Sequence, residues 1–179
     1  MKLLVFFLTI LSFNPMDNFE IQDGRLYWQK VYNSDLSIDE VEQLMIESGH
    51  YKNVIIINNS ITAELVDFSI NHKGYGSSDF STPSYILGSS FQAFALFEFK
   101  NGRYRATIKN IRLIQNYNTS SSDMGEVSQL EDHALKKKNT TYRNGFEIKT
   151  QKCLIIPLPI SLNLKGNQET GSPFLNLKS

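Results

Sequence analysis

Cysteine is almost absent from this chain. Its 179 residues include only Cys153, which excludes an internal disulfide bond and any metal site made of several cysteines. The apolar neighbours of Cys153 favour a small buried side chain over a reactive thiol. The histidines His50, His72 and His133 are far apart in sequence, and none belongs to a metal-ligand pair such as HxxxH. We therefore expect neither a metal nor another cofactor.

Net charge is absent as well, because 18 lysine and arginine residues balance 18 aspartate and glutamate residues. A neutral chain creates no long-range field that would attract nucleic acid, so we expect no nucleic-acid partner. Recognition of an anionic ligand would have to come from a local patch of basic residues.

Long hydrophobic runs are missing except at the N-terminus. Residues 1–16 contain a lysine, an apolar run too short to span a membrane and then Asn14-Pro15, a pattern typical of a signal peptide. The cleavage pattern is poor, and a retained N-terminal helix or strand is the alternative. The prediction is an exported protein, periplasmic or associated with the cell envelope, with no transmembrane span. Residues 17–164 are predicted to form a single domain, and residues 165–179 a disordered tail.

Motifs of the common enzyme classes are also missing: the chain has no GxSxG, no P-loop and no GxGxxG between a strand and a helix. A non-enzymatic protein is therefore favoured. The alternative is a hydrolase with a site built from residues 71–90, which are rich in Gly, Ser and Tyr and predict a long exposed loop. That alternative requires His72 and Asp79 to meet in a concave pocket.

The elements that are present alternate between strand and helix patterns. A strand is predicted over 25–32, and Ser37 with Glu40 forms a capping box that starts a helix over 38–48. Two strands joined by Asn58-Asn59 follow, the first apolar on both faces and so predicted to be central and buried. An amphipathic helix is predicted over 124–135. Pro157 and Pro159 predict an edge strand or an extended segment near the C-terminus.

The clearest pattern is a hairpin over residues 91–113, where two strand-like runs flank Asn101-Gly102. A two-residue turn pairs Lys100 with Arg103, which fixes the rest of the register. One face is then apolar. The other carries the candidate binding residues, which combine basic charge with an aromatic ring: Lys100, Arg103, Arg105, Lys109 and Phe94. Such a set could bind an anionic ligand or an acidic protein.

The alternative for this basic face is an ordinary half-solvated sheet surface. Glu98 is predicted to lie opposite Arg105, and a cross-strand ion pair of this kind contributes about 0.2–1 kcal/mol. In that case the pair would stabilise the sheet and would not be part of a binding site.

The segments WQKVY, SIDEVEQLM and FEFKNGRYRATIKNI resemble a family of unknown function found in exported proteins of Bacteroidetes-type bacteria and described as having a TATA-binding-protein-like fold. The resemblance covers about residues 20–115, and its most specific part is the KNGRYR sequence at 100–105, which matches a K-[DN]-G-R-Y-R pattern. It implies an α+β fold, a curved antiparallel sheet with helices packed on one face. The family has no established activity, so the resemblance assigns no functional residue.

Together these patterns predict an exported, non-enzymatic binding or interaction module of the cell envelope. Its partner is predicted to be an envelope protein or an anionic ligand, and the oligomeric state is left open.

Overall fold

A computed structural model of the protein describes residues 18–70, 72–73, 78–118, 123–136, 141–144 and 146. The predictions for the signal peptide, Cys153, the proline segment and the C-terminal tail lie outside these residues. The elements in chain order are β1 (Phe19–Gln22), β2 (Arg25–Asn33), α1 (Ile38–Glu47), β3 (Tyr51–Ile57), β4 (Ser60–Phe68), α2 (Ser84–Leu87), β5 (Ser89–Lys100), β6 (Arg103–Gln115), β7 (Val127–Gln129) and α3 (Leu130–Ala134).

The described strands form one open antiparallel sheet in the order β1-β2-β6-β5-β4-β3, and β7 pairs with β6. Three hairpins have two-residue turns, whose left-handed positions are occupied by residues that tolerate positive φ. Asn101 and Gly102 have φ of 52° and 68°, the combination that a type I′ turn requires. The α+β class predicted from the sequence is confirmed.

One face of the sheet forms the core. Trp28, Ile108 and Phe97 lie on this face and are at most 2% exposed, and the helices α1 and α3 add Val41 and Leu130, both fully buried. The expected packing of the helices on one side is therefore present. The aromatic and branched side chains that alternate along β2, β5 and β6 supply this surface because successive strand residues point to opposite faces.

The helix α1 begins where the sequence predicts. The amide of Glu40 donates to the Ser37 hydroxyl at 3.3 Å, and the Ser37 amide donates to the Glu40 carboxylate at 2.7 Å. This capping box satisfies two amide groups that have no partner within the helix. Val41 and Met45 are one helical turn apart and both fully buried, which fixes the face that α1 turns to the sheet.

Three β-bulges interrupt the ladders of the described strands, and the alternating sequence pattern does not reveal them. The register shifts between Lys52 and Ile55, between Leu65 and Phe68, and between Gln92 and Phe94. A residue with positive φ lies at each shift, with φ of 52° for Asn53, 49° for Asp67 and 54° for Asn110. Asparagine and aspartate tolerate this conformation better than other residues with a Cβ. Each bulge bends its strand and increases the local twist.

The bulge in β4 changes the face on which Phe68 lies. Simple alternation places Phe68 on the opposite side from Leu65, but both side chains are buried, at 7% and 2% exposure. The extra residue restores the apolar face because it shifts the alternation by one position.

The strand β3 is at an edge of the sheet, so the prediction of a central, buried strand was wrong. Ile55 and Ile57 are 53% and 55% exposed, while Tyr51 on the other face is 6% exposed. Both faces of β3 are apolar, but only the face that carries Tyr51 is buried. Periodicity alone does not separate these cases.

Two more predictions were wrong in part. Of the helix predicted over 124–135, residues 127–129 instead form β7 beside β6, and only Leu130–Ala134 are helical. Backbone groups at the edge of β6 form hydrogen bonds with residues 127–129, and these replace the hydrogen bonds that a helix would otherwise supply. The segment predicted as an exposed loop contains α2 and the start of β5, and Thr82 and Ile86 in it are buried.

We call the second face of the sheet the open face, because no described helix packs on it. Cross-strand pairing places its side chains in rows that run from β3 to β2 and, in one case, on to β1. The rows are Ile57, Ser60, Glu98, Arg105 and Val31; Ile55, Thr62, Leu96, Thr107 and Gln29; and Lys52, Glu64, Phe94, Lys109, Tyr27 and Glu20. Val31 is 56% exposed on this face, so the surface is apolar as well as charged.

Candidate functional site

The hairpin register agrees with the prediction at every pair that was predicted. Lys100 lies opposite Arg103, and Glu98 lies opposite Arg105. Phe94 lies opposite Lys109, beyond which the bulge changes the register. The five candidate binding residues therefore lie on the open face. They occupy different parts of it and have different partners.

Arg105 is bound to the sheet itself. Its Nε and Nη2 atoms donate to one oxygen of Glu98, Oε2, at 2.9 and 2.7 Å. The side chains of Arg105 and Glu98 are 50% and 38% exposed, so water screens part of the attraction. This is the cross-strand ion pair that the sequence offered as the alternative to a binding role.

Lys109 and Phe94 form a second contact on the same face. The ammonium nitrogen of Lys109 lies 5.0 Å from the centre of the Phe94 ring, within the range of a cation–π interaction. The lysine forms no ion pair with any described residue, so its charge stays available to an incoming anion. Lys100 and Arg103 are exposed at the hairpin tip and also lack a carboxylate partner among the described residues.

The open face is basic although the whole chain is neutral. Among its residues paired in the ladders, seven are basic and three are acidic: Arg25, Lys52, Lys100, Arg103, Arg105, Lys109 and Arg112 against Glu20, Glu64 and Glu98. The fold thus gives one surface a positive charge that the neutral overall composition does not reveal. Such a local patch attracts anionic groups over about one Debye length, roughly 8–10 Å at physiological salt.

A concave cleft of about 220 Å³ lies on this face, and its lining includes Glu64, Val66, Gln92, Phe94, Asn110 and Arg112. We call it the bulge cleft because Val66 and Asn110 belong to the bulges of β4 and β6. In β6 the extra residue brings Lys109 and Arg112 to the same face although they are three positions apart. The sequence patterns do not single out Glu64, Gln92, Asn110 or Arg112, and the only local sign of this cleft in the sequence is an asparagine inside a strand pattern.

His72 and Asp79, which the hydrolase alternative requires, come together. His72 Nε2 lies 2.6 Å from Asp79 Oδ1, and Lys73 Nζ lies 3.2 Å from Asp79 Oδ2. The hydrogen bond from His72, followed by that from Lys73, holds the pKa of Asp79 below its ordinary value. The Asp79 side chain is 59% exposed, and the bulge cleft is lined by other residues. The contact between His72 and Asp79 is therefore present, and it lies outside the bulge cleft.

His133 lies in a different environment. Its Nε2 is 2.9 Å from the Ser128 hydroxyl, and its ring stacks on Tyr85 at 4.4 Å. Burial holds the pKa of His133 below its ordinary value, because desolvation disfavours the charged imidazolium. These contacts join α2 to α3, so the position of His133 is explained by a structural role. His50 is exposed, and its backbone carbonyl accepts a hydrogen bond from Val66.

In the part of the chain that the structure describes, no group of three or more His, Cys, Asp or Glu side chains is arranged to hold a metal ion. None of the described helices is both long enough and apolar enough to cross a membrane.

Comparison with known proteins gives two solved structures of similar shape. One is a DUF4468 family protein from Bacteroides ovatus, 13% identical, with 76% of this chain and 81% of that chain covered at a TM-score of 0.44. The other is a TBP-like protein from Parabacteroides distasonis, 12% identical, with 75% and 83% covered at a TM-score of 0.43. No family model and no curated protein matches the chain. The two descriptions, an uncharacterised family and a TBP-like fold in Bacteroidetes, agree with the resemblance noted in the sequence.

Proposed function

We propose that this chain is a non-enzymatic binding module of the bacterial cell envelope and that its open face holds an acidic segment of a partner protein. The observation that carries the proposal is the coexistence of unpaired cations and exposed apolar side chains on one face. Arg103 and Lys109 have no carboxylate partner among the described residues. On the same face, Val31 of β2 and Ile55 of the edge strand β3 are 56% and 53% exposed.

The mixture of charges favours a protein over a nucleic acid. A nucleic-acid backbone is uniformly negative, and Glu20, Glu64 and Glu98 on the same face would repel it. An acidic peptide can place its carboxylates on the lysines and arginines and its apolar side chains on the isoleucines and valine. The expected export of the chain supports a partner in the envelope.

Site-specific photo-crosslinking tests this proposal with a matched pair of positions. A benzophenone amino acid replaces Ile55 on the open face or Ile46 on α1, which are equally exposed at 53%. The full chain carrying either probe is irradiated with the envelope fraction of the source cells. We expect a discrete adduct from position 55 only, and we expect the attachment point in the partner to lie within an Asp- and Glu-rich segment.

Charge variants complete the test. Replacing Arg103 and Lys109 with glutamine should abolish the adduct at position 55, and Lys30→Gln, the same type of change on the opposite face, should retain it. Adducts of equal yield from positions 46 and 55, or an attachment point in a basic or uncharged segment, would reject the proposal.

The His72–Asp79 contact keeps a hydrolase as the second candidate, because a carboxylate that orients an imidazole is one part of a general-base site. Hydrolysis of a panel of chromogenic esters by the full chain, lost in His72→Gln, would support it. No turnover above the buffer rate by the wild-type protein, or equal turnover by the variant, would reject it.

A further inference from the structure

Polar side chains with free hydrogen-bonding capacity line the bulge cleft. Four of its side chains, Glu64, Gln92, Asn110 and Arg112, are polar, and none makes a side-chain hydrogen bond or ion pair with a described residue. Arg105, by contrast, donates to Glu98, two rows away from Phe94. These groups differ from the ordinary charged residues of a sheet face because they converge on one concavity.

The donors and acceptors are arranged on two sides of the cleft. Arg112 extends from β6 opposite Gln92 of β5, and Asn110 lies in the bulge next to them. Glu64 extends from β4 opposite Phe94. One side therefore offers a guanidinium group and two carboxamide groups, and the other side offers a carboxylate.

We infer that the bulge cleft is a subsite for one acidic side chain of the bound peptide, an inference that rests on the function proposed above. The planar guanidinium group of Arg112 can take both oxygens of a carboxylate in parallel hydrogen bonds. The carboxamide N–H groups of Gln92 and Asn110 add neutral donors. A cleft of about 220 Å³ is large enough for one such side chain, and larger ligands occupy pockets above this size.

Glu64 selects the kind of anion. Its carboxylate repels a phosphate dianion at the same position, but it accepts a hydrogen bond from the backbone N–H of a peptide whose acidic side chain points towards Arg112. A peptide carboxylate is thus favoured over inorganic phosphate, although both could pair with an arginine.

Titration of the full chain by NMR tests the subsite with three probes. The first is a short peptide of alternating glutamate and serine, the second replaces each glutamate with glutamine, and the third is inorganic phosphate. We expect saturable shifts of the side-chain N–H signals of Gln92, Asn110 and Arg112 with the glutamate peptide only.

Arg112→Gln should weaken binding of the glutamate peptide at least about tenfold, because it removes the two charge-assisted hydrogen bonds of the guanidinium group. Lys30→Gln removes the same charge from the opposite face and should change the affinity less than about twofold, because the site is screened from it. Glu64→Gln should increase the affinity for phosphate. Urea midpoints within error of wild type confirm that each variant is folded.

The outcomes separate this inference from the function proposed above. Binding of the glutamate peptide with no effect of Arg112→Gln, or equal losses in Arg112→Gln and Lys30→Gln, would overturn the subsite and leave the binding function standing. No binding of the peptide to the wild-type chain would overturn both. Equal affinity for phosphate and for the glutamate peptide would overturn the selectivity assigned to Glu64.

Discussion

The Arg105–Glu98 pair makes a prediction that separates the residues holding the sheet together from those that bind a partner. The closest nitrogen–oxygen distance in the pair is 2.7 Å, at which Coulomb's law in water gives about 1.5 kcal/mol. Both donors of Arg105 contact the same oxygen, and the side chains are 50% and 38% exposed. Screening and the ordering of two long side chains reduce the net coupling to about 0.5 kcal/mol.

A double-mutant cycle measures this coupling. Urea unfolding is followed for the wild-type chain, Arg105→Gln, Glu98→Gln and the double variant, and the coupling is the difference that the two single changes do not explain. We expect it to fall by at least half in about 1 M salt, where the Debye length is about 3 Å. The same four proteins are titrated with the glutamate peptide, and Arg105→Gln should weaken binding less than Arg103→Gln does.

Two results would refute the reasoning. A coupling free energy indistinguishable from zero would mean that the pair does not hold the strands together. A loss of peptide affinity in Arg105→Gln as large as that in Arg103→Gln would place Arg105 in the binding surface, where the sequence had proposed it.

Three further predictions concern stability. Ser37→Ala should lower the free energy of unfolding by about 1 kcal/mol and Ser37→Gly by only a few tenths, because glycine is nearly as good an N-cap; equal losses in urea unfolding would contradict the capping role. Asn110→Gly should leave the free energy of unfolding within about 1 kcal/mol of wild type. Asn110→Val should lower it by about 1–2 kcal/mol, because valine is strained at the φ of 54° in the bulge. Thermal unfolding that ranks the two variants the other way would contradict the bulge. The pKa of His133 is lower in the native chain than its ordinary value of 6.5, so the unfolded chain takes up a proton first as the pH falls. The free energy of unfolding should therefore decrease as the pH drops from 6.5 towards the native pKa. His133→Gln should flatten that slope in urea midpoints measured across this range, and an unchanged slope would assign it to another group.

The sequence predicted those parts of the fold that depend on near neighbours. The Asn101-Gly102 turn fixes the register of its hairpin because two successive positive φ angles leave few alternatives. The capping box at Ser37 placed the start of α1 because its hydrogen bonds join residues three positions apart. Five residues of the open face were predicted correctly to lie on one side of the sheet, since strand alternation decides which side chains share a face.

The tertiary structure alone decided three other features. The position of β3 at an edge depends on which strands pair, and an apolar run is compatible with either a central or an edge position. The strand β7 forms only because β6 extends past β2 and offers unpaired backbone groups.

The bulge cleft is the third such feature. Glu64, Gln92 and Arg112 are distant in sequence and meet because three strands align and two bulges shift their alternation. Composition determined that the chain has no net charge and a single cysteine. The pairing of the strands determined that one face of this neutral protein is basic, because only the fold assigns each charge to a side of the sheet.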